Sequence, residues 1–353
     1  MNPKRIIQIA REFFYFKSII KKYGESLEKG RYKLFDNMRS FALDSPETIE
    51  TASKYFINDK APSKVTSLIS LINKTNFYTN KKNSDNIKFE AIYTANNYDK
   101  KREIKLFSFK RKQILTICTS SETFEKQFDE YERLNNNFGM PLVDKYYLYD
   151  NSFVISMVDI LPRPSDKSAL SNIYHCISSY NINHLEEGGA KKLGDILDFS
   201  HYSEEMRALL QSLADRINPN CSLDLVPTSL QHGDLSRSNQ LYGTCDNKTG
   251  FWWIDWEWAG NRIFFYDYFF YILNTALYYN EPEVLYSYLN GEFDTDLTAF
   301  FNTYDLMYEP EDKMDYFLIF VIDFLKERVC DRGNLTALET YCNFLEKTIF
   351  SKE

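Results

Sequence analysis

The chain has 353 residues, 50 of them acidic and 42 basic, for a formal net charge of −8. That length accommodates two lobes with a large core, and the acidic balance argues against nucleic acid as the main partner. Cys118, Cys176, Cys221, Cys245, Cys330 and Cys342 show no metal-binding spacing and read as free thiols of a reducing compartment.

In chain order, residues 3 to 28 have helical periodicity, with Ile6, Ile9, Phe13, Phe16 and Ile20 at three- and four-residue steps. Lys4, Arg5, Arg11, Lys17, Lys21 and Lys22 occupy its polar positions. Such a helix packs on the protein's own surface with a solvated basic face; the alternative is peripheral contact with an anionic membrane. Arg11 and Glu12 interrupt the apolar positions, so the segment is not a secretory signal. The apolar run Phe317 to Val321 with Phe324-Leu325 is broken by Asp323 and too short to span a bilayer, and a soluble cytoplasmic protein is expected.

Ser45-Pro46-Glu47-Thr48 has the form of a helix start, with Ser as N-cap and Pro at the first helical position. Residues 64 to 74 read as another helix and 80 to 86 as a polar linker. Residues 1 to 80 are therefore expected to be a helical extension. From Ile87 the pattern changes to alternating strands, Lys88 to Thr94, Glu103 to Phe109 and Gln113 to Thr119, with turns at Asn96 to Lys101 and Lys110 to Lys112. A helix capped by Ser121 or Thr123 follows, with Phe124, Phe128, Tyr131 and Leu134 on one face. Strands Val143 to Tyr149 and Phe153 to Val158 are joined by Asp150-Asn151, and Leu161-Pro162-Arg163-Pro164 breaks the pattern.

Residues 170 to 228 read mostly as helices, with His184 to Gly194 a loop. His175, His184 and His201 have no partner spacing that would make them ligands. Beyond Asp267 a strongly apolar helix runs to Tyr279, and the remainder reads as helices around an acidic turn, Glu309 to Asp315.

The most informative stretch is Leu230 to Asp267. His232-Gly233-Asp234 is followed by Asn239 five positions after the Asp, then by Ile254-Asp255-Trp256-Glu257. Asp246 to Gly250 is turn chemistry, with Gly free to take positive φ, and Phe251 to Ile254 is a buried strand ending at Asp255. A hairpin of this kind brings Asp234, Asn239 and Asp255 towards one point. Phosphoryl transfer needs such a set: one carboxylate for the proton of the attacking hydroxyl, and an amide oxygen with a second carboxylate to hold Mg²⁺ against nucleotide phosphates.

HGDLSRSN followed by IDWEWAG resembles the aminoglycoside phosphotransferase and choline kinase superfamily, and Asp267 stands twelve residues beyond Asp255, as the family pattern has it. The motifs cover residues 230 to 270, with a weaker match back to about residue 90. The resemblance implies an α+β, bilobal protein-kinase-like fold, with a small antiparallel-sheet N-lobe (81 to 160) and a mainly helical C-lobe (161 to 353). It implies Asp234 as catalytic base, Asn239 and Asp255 as metal ligands, His232 and Asp267 as supports of the catalytic loop, and ATP and Mg²⁺ as cofactors. Met157-Val158-Asp159-Ile160 would lie where the family hinge meets adenine. One departure stands out. The third strand, Ile114 to Cys118, has Thr116 where the family places a phosphate-binding Lys, and Asn96 to Asp99 has no Gly for a phosphate loop. Lys105 or Lys112 would have to substitute, with Glu130 or Glu132 as the helix partner.

The expectation is an ATP- and Mg²⁺-dependent kinase acting on a hydroxyl of a small molecule, with a sugar or saccharide favoured. An aminoglycoside would require acidic residues around the pocket. Choline or ethanolamine would require an aromatic box, for which Trp252, Trp253, Trp256 and Trp258 supply rings, although Trp256 and Trp258 read mostly as core. The rival from another class is a pseudokinase, a kinase-shaped binding protein.

Overall fold

The computed structural model describes residues 14–15, 18–19, 21–35, 40–56, 88–94, 103–134, 138–146, 149–184, 189–219, 221 and 223–350. They fall into two compact units. The first takes in residues 1–135, 141–161 and 243–249, and the second 136–140, 162–242 and 250–353.

The first unit is built on an antiparallel sheet. Its strands are β1 (Tyr32–Leu34), β2 (Ser40–Leu43), β3 (Ala91–Thr94), β4 (Ile104–Ser108), β5 (Gln113–Ile117), β6 (Val143–Lys145) and β7 (Ser152–Ser156), in the order β1-β2-β3-β4-β5-β7-β6. Period-two alternation places Phe41, Ile92, Leu106 and Leu115 in its core with Phe89. Helix α1 (Pro46–Phe56) starts as the sequence indicates: Ser45 Oγ accepts from Thr48 N at 3.3 Å, and Pro46 is its first residue. Helix α2 (Ser121–Leu134) is capped one residue earlier than expected, by Ser120 Oγ accepting from Thr123 N at 3.2 Å. A short strand, β8 (Asp159–Ile160), pairs with the hairpin segment Gly243–Thr244.

One expectation changes here. Residues 1–80 are not wholly helical, because β1 and β2 join the sheet through β2–β3 pairing, Phe41 opposite Ile92. These strands are too short for alternation to reveal them. Of the helix expected over residues 3–28, helical conformation is seen at 14–15, 18–19 and 21–23; Ile6, Ile9, Phe13, Phe16, Ile20 and the basic positions before Lys21 lie outside the described residues. So do the helix at 64–74, the linker at 80–86 and the turn at 96–101.

The second unit is mainly helical: α3 (Asp166–Asn183), α4 (Leu193–Ile196), α5 (Glu204–Ala214), α6 (Tyr266–Tyr278), α7 (Glu283–Leu289), α8 (Asp294–Asn302), α9 (Lys313–Leu325) and α10 (Leu335–Thr348). Helices α6 and α9 are strongly apolar, and Tyr266 to Leu273 and Tyr316 to Leu325 are buried, Asp267 and Asp323 among them. Among the described residues no helix is long and apolar enough to cross a membrane. The loop expected at His184 to Gly194 instead contributes β9 (Gly189–Lys192), which pairs with β10 (Leu225–Gln231), itself paired with β13 (Gly260–Ile263). Strands β11 (Gln240–Cys245) and β12 (Lys248–Trp253) form the expected hairpin. The left-handed residues of its turn are Asp246 (φ 49°) and Asn247 (φ 63°), not Gly250, as a two-residue turn matching strand twist requires. The fold is α+β, with antiparallel sheet concentrated in the first unit and helices in the second.

Candidate active site

Strand β10 ends at Gln231, and the chain turns through His232, Gly233 and Asp234 before reaching β11. Asp267, fully buried in the first turn of α6, holds this turn from below. Its two carboxylate oxygens accept the backbone N–H groups of His232 (2.5 Å) and Gly233 (2.9 Å). The Asp267 N–H in turn donates to Gln231 Oε1 at 3.0 Å. Gly233 has φ +80°, and a Cβ there would run into the Trp258 carbonyl and come within 2.7 Å of Arg262 Nη1, so only glycine fits.

The His232 ring is buried against Trp256, with Trp253 further off at its edge. Its Nε2 lies 2.8 Å from the Ile254 carbonyl, which can only accept, so Nε2 carries the proton. Nδ1 is then free to accept the Asp234 N–H at 3.3 Å. Burial pushes the imidazole down to about 4, opposed by the bond to Ile254, so the ring is neutral at pH 7. It therefore ties the Asp234 backbone to the end of β12 without adding charge.

Asn239 closes the loop. Its Nδ2 donates to the Asp234 carbonyl (2.8 Å) and carboxylate (3.1 Å), while its own carbonyl accepts from Ile254 N at 2.9 Å. The next residue, Asp255, has a left-handed backbone (φ 70°), which breaks β12 at that point and starts the short 3₁₀ turn Trp256–Trp258. Asp234 and Asn239 are thus joined directly, and the bond from Ile254 N to the Asn239 backbone carbonyl sets the chain at Asp255 beside them. The Asp234 carboxyl is pushed up to about 6. Burial is the main cause and the Asp255 charge adds to it, while Arg328, Asn239 and Arg262 oppose it. Burial likewise raises Asp267 to about 6, against the two N–H bonds and Arg262. The Asp234 side chain keeps 39% of its surface exposed, so a substrate can reach it.

Among the described residues no cluster of three or more His, Cys, Asp or Glu is gathered for a metal. The donors present nevertheless suit Mg²⁺, which takes hard oxygens and is commonly held by one or two carboxylates together with substrate phosphates and water. Since Asn239 commits its amide nitrogen to Asp234, its amide oxygen is the atom left to act as a ligand beside the Asp255 carboxylate.

The residues considered for the nucleotide lie in the first unit. Thr116 is buried in β5, and the register places Lys105 of β4 directly opposite it, on the same sheet face. Lys105 Nζ is 3.3 Å from Glu103, the residue just before β4, and Glu103 also accepts from Gln127 of α2 at 3.1 Å. Glu103 and Gln127 had no sequence signal beyond β-strand and helix polarity. Glu130, the expected helix partner, is raised mainly by burial, and its Oε2 has no hydrogen-bond partner among the described residues. Asp159 forms an ion pair with Lys112.

Arginines that no motif announces complete the site. In β13, Arg262 donates to Glu327 (Nε 3.0 Å, Nη2 2.5 Å) and to the Trp258 carbonyl (2.8 Å). Arg237, between Asp234 and Asn239, pairs with Asp166 at 2.7 Å and Glu281 at 2.6 Å. Arg328 donates to the Gly233 carbonyl at 2.7 Å, sits 3.6 Å from Asp234 Oδ1 and stacks on Trp258 at 3.8 Å from the ring centroid.

No protein-family profile matches the chain, and no curated protein matches it in sequence. Solved structures do. A GDP and kanamycin complex of APH(2")-IIia matches at 14% identity and a TM-score of 0.48, covering 76% of this chain and 96% of that one. A thermostable mutant of aminoglycoside phosphotransferase APH(4)-Ia matches at 14% identity and 0.45, over 75% and 96%. Macrolide 2'-phosphotransferase MphH from Brachybacterium faecium matches at 10% identity and 0.42, over 70% and 91%.

Proposed function

We propose that this chain is an ATP- and Mg²⁺-dependent phosphotransferase that acts on a hydroxyl group of a small molecule, a sugar-like acceptor being favoured. The observation that carries this reading is the Asp234–Asn239–Asp255 set, held by Asp267 and a neutral His232. Asp234 accepts the proton of the acceptor hydroxyl as that oxygen bonds to the γ-phosphorus. The bond from this phosphorus to the β–γ bridging oxygen breaks, and ADP leaves. A carboxyl placed near 6 is ionised at pH 7 yet still basic enough to take the proton. Asn239 and Asp255 would hold Mg²⁺, which when bound offsets negative charge on the transferred phosphoryl. Lys105, opposite Thr116, is the candidate for the cation missing from β5.

The test is transfer from labelled Mg·ATP to a panel of sugars, aminoglycosides, choline and ethanolamine. Asp234→Asn should lower turnover by about 100-fold or more while the protein stays folded. Near wild-type turnover in that variant would remove Asp234 from the role. Absence of Mg·ATP binding by calorimetry would overturn the phosphotransferase reading in favour of a kinase-shaped binding protein.

A further inference from the structure

Next to Asp234 the second unit contains a cavity of about 430 Å³, lined by Trp258, Tyr278, Arg328, Arg332 and Tyr341 among others. We propose that this cavity is the acceptor site and that it selects an anionic acceptor: a hydroxyl compound carrying a carboxylate or phosphate group, held by Arg328 and Arg332. The proposal rests on the phosphotransferase reading above and names its substrate class.

Charge is the first argument. Asp234 is the lone carboxylate in the described lining, against two guanidinium groups, so the cavity is net positive even though the chain is acidic. Arg332 forms no ion pair among the described residues. Arg328 is held at the cavity wall through the Gly233 carbonyl, with its side chain only 11% exposed.

The second argument is how the guanidinium groups are mounted. Both lie against the Trp258 ring, at 3.8 Å and 4.9 Å from its centroid. An aromatic ring that already carries two cations of its own protein is a poor receptor for a quaternary ammonium or a protonated amine. A guanidinium group held over a ring keeps N–H donors for oxygen acceptors, and its fork of donors matches a carboxylate or phosphate. Arg328 lies in a single π-helical turn, Lys326–Cys330, inserted directly after α9. Such insertions recur at functional sites. Here one insertion sets Arg328 beside Asp234 and Glu327 against Arg262.

Tyr278 and Tyr341, whose hydroxyls are 2.9 Å apart, supply a further polar edge for acceptor hydroxyls. An acceptor that places one hydroxyl at Asp234 can turn its acidic group to Arg328 and Arg332, which line the same cavity.

Four probes that share one sugar ring separate the possibilities: glucose, glucosamine, glucuronate and glucose 6-phosphate. Each is titrated calorimetrically into the full-length protein saturated with a non-hydrolysable ATP analogue and Mg²⁺, so that phosphate binding at the nucleotide site does not contribute. At least one acidic probe is expected to bind roughly tenfold or more tighter than glucose and glucosamine, as a charge-assisted contact allows. Glucuronate alone points to a carboxylate acceptor, and glucose 6-phosphate alone to a phosphate ester. Arg332→Gln should abolish that preference while leaving nucleotide affinity in place. Equal or tighter binding of glucose or glucosamine, no binding of either acid, or an unchanged preference in Arg332→Gln would overturn the proposal. Nucleotide titration in the same samples reports separately on the phosphotransferase reading.

Discussion

At Asp234 and Asp267 the same physical cause, removal of a carboxylate from water, places both groups well above the ordinary carboxylate range. Its consequence for stability has a definite sign. A carboxyl whose folded-state value exceeds its unfolded value near 3.8 binds its proton more tightly when folded. The stability it contributes is complete below about 4 and is lost as pH rises towards about 6. Metal-free protein should therefore lose stability across this window from these two groups. Urea denaturation at pH 4.5 and 6.5 of wild type and Asp234→Asn checks this, because the variant lacks one of the two titrations and should show a shallower fall. An identical fall in the two proteins would mean that Asp234 titrates near its ordinary value.

Among the elements, the His232–Asn239 loop depends on α6 more than on its own sequence. Asp267 satisfies two buried backbone N–H groups at once, so Asp267→Ala leaves both without acceptors and should cost about 3 kcal/mol or more. Asp267→Asn, which retains one acceptor oxygen, should lose less. A shift in unfolding free energy below about 1 kcal/mol for the alanine variant would mean that the loop is held by other contacts. The resemblance of the motifs implied this anchor, through the Asp that stands twelve residues beyond Asp255. The arginines were not legible. Arg328 reaches the Gly233 carbonyl from the far end of the chain, and one polar residue after an apolar helix carries no sign of a π-helical insertion or of a neighbour across the fold. Strands β1 and β2 escaped for a related reason: short strands owe their existence to pairing partners rather than to their own pattern. The β4–β5 register tells the opposite story. The sequence offered Lys105 or Lys112 as the substitute cation, and the pairing sets Lys105 opposite Thr116. Lys105→Ala should weaken Mg·ATP binding; because its ion-pair partner Glu103 is buried, the variant should also melt lower, so affinity is compared well below its unfolding temperature, where it stays folded. Unchanged nucleotide affinity would leave the cation missing from β5 unreplaced.

For the whole molecule, the contrast between a net charge of −8 and a net positive cavity shows why composition argues against nucleic acid as the main partner yet gives no hint of the acceptor. Global charge governs association with large polyelectrolytes, whereas a small ligand responds to the few groups within a Debye length, about 8 Å at physiological salt. Nucleotide binding can likewise be read at the scale of the entire fold. A ligand that binds only the folded chain stabilises it by RT ln(1 + [L]/Kd), about 2.7 kcal/mol at a hundredfold excess over Kd. Mg²⁺ with ATP should raise the unfolding temperature of the wild-type protein, and ATP with chelator should raise it far less, because the phosphates then lack their neutralising cation. In Asp255→Ala the two curves should coincide with the ligand-free one. Asp255 sits at the break of β12 rather than in the core, and its left-handed backbone is a conformation an alanine adopts with some strain, so the ligand-free variant should melt slightly below wild type. The informative quantity is therefore the ligand-induced shift within each protein. A full Mg·ATP shift in Asp255→Ala would place the metal elsewhere and detach the second half of the motif from phosphate chemistry.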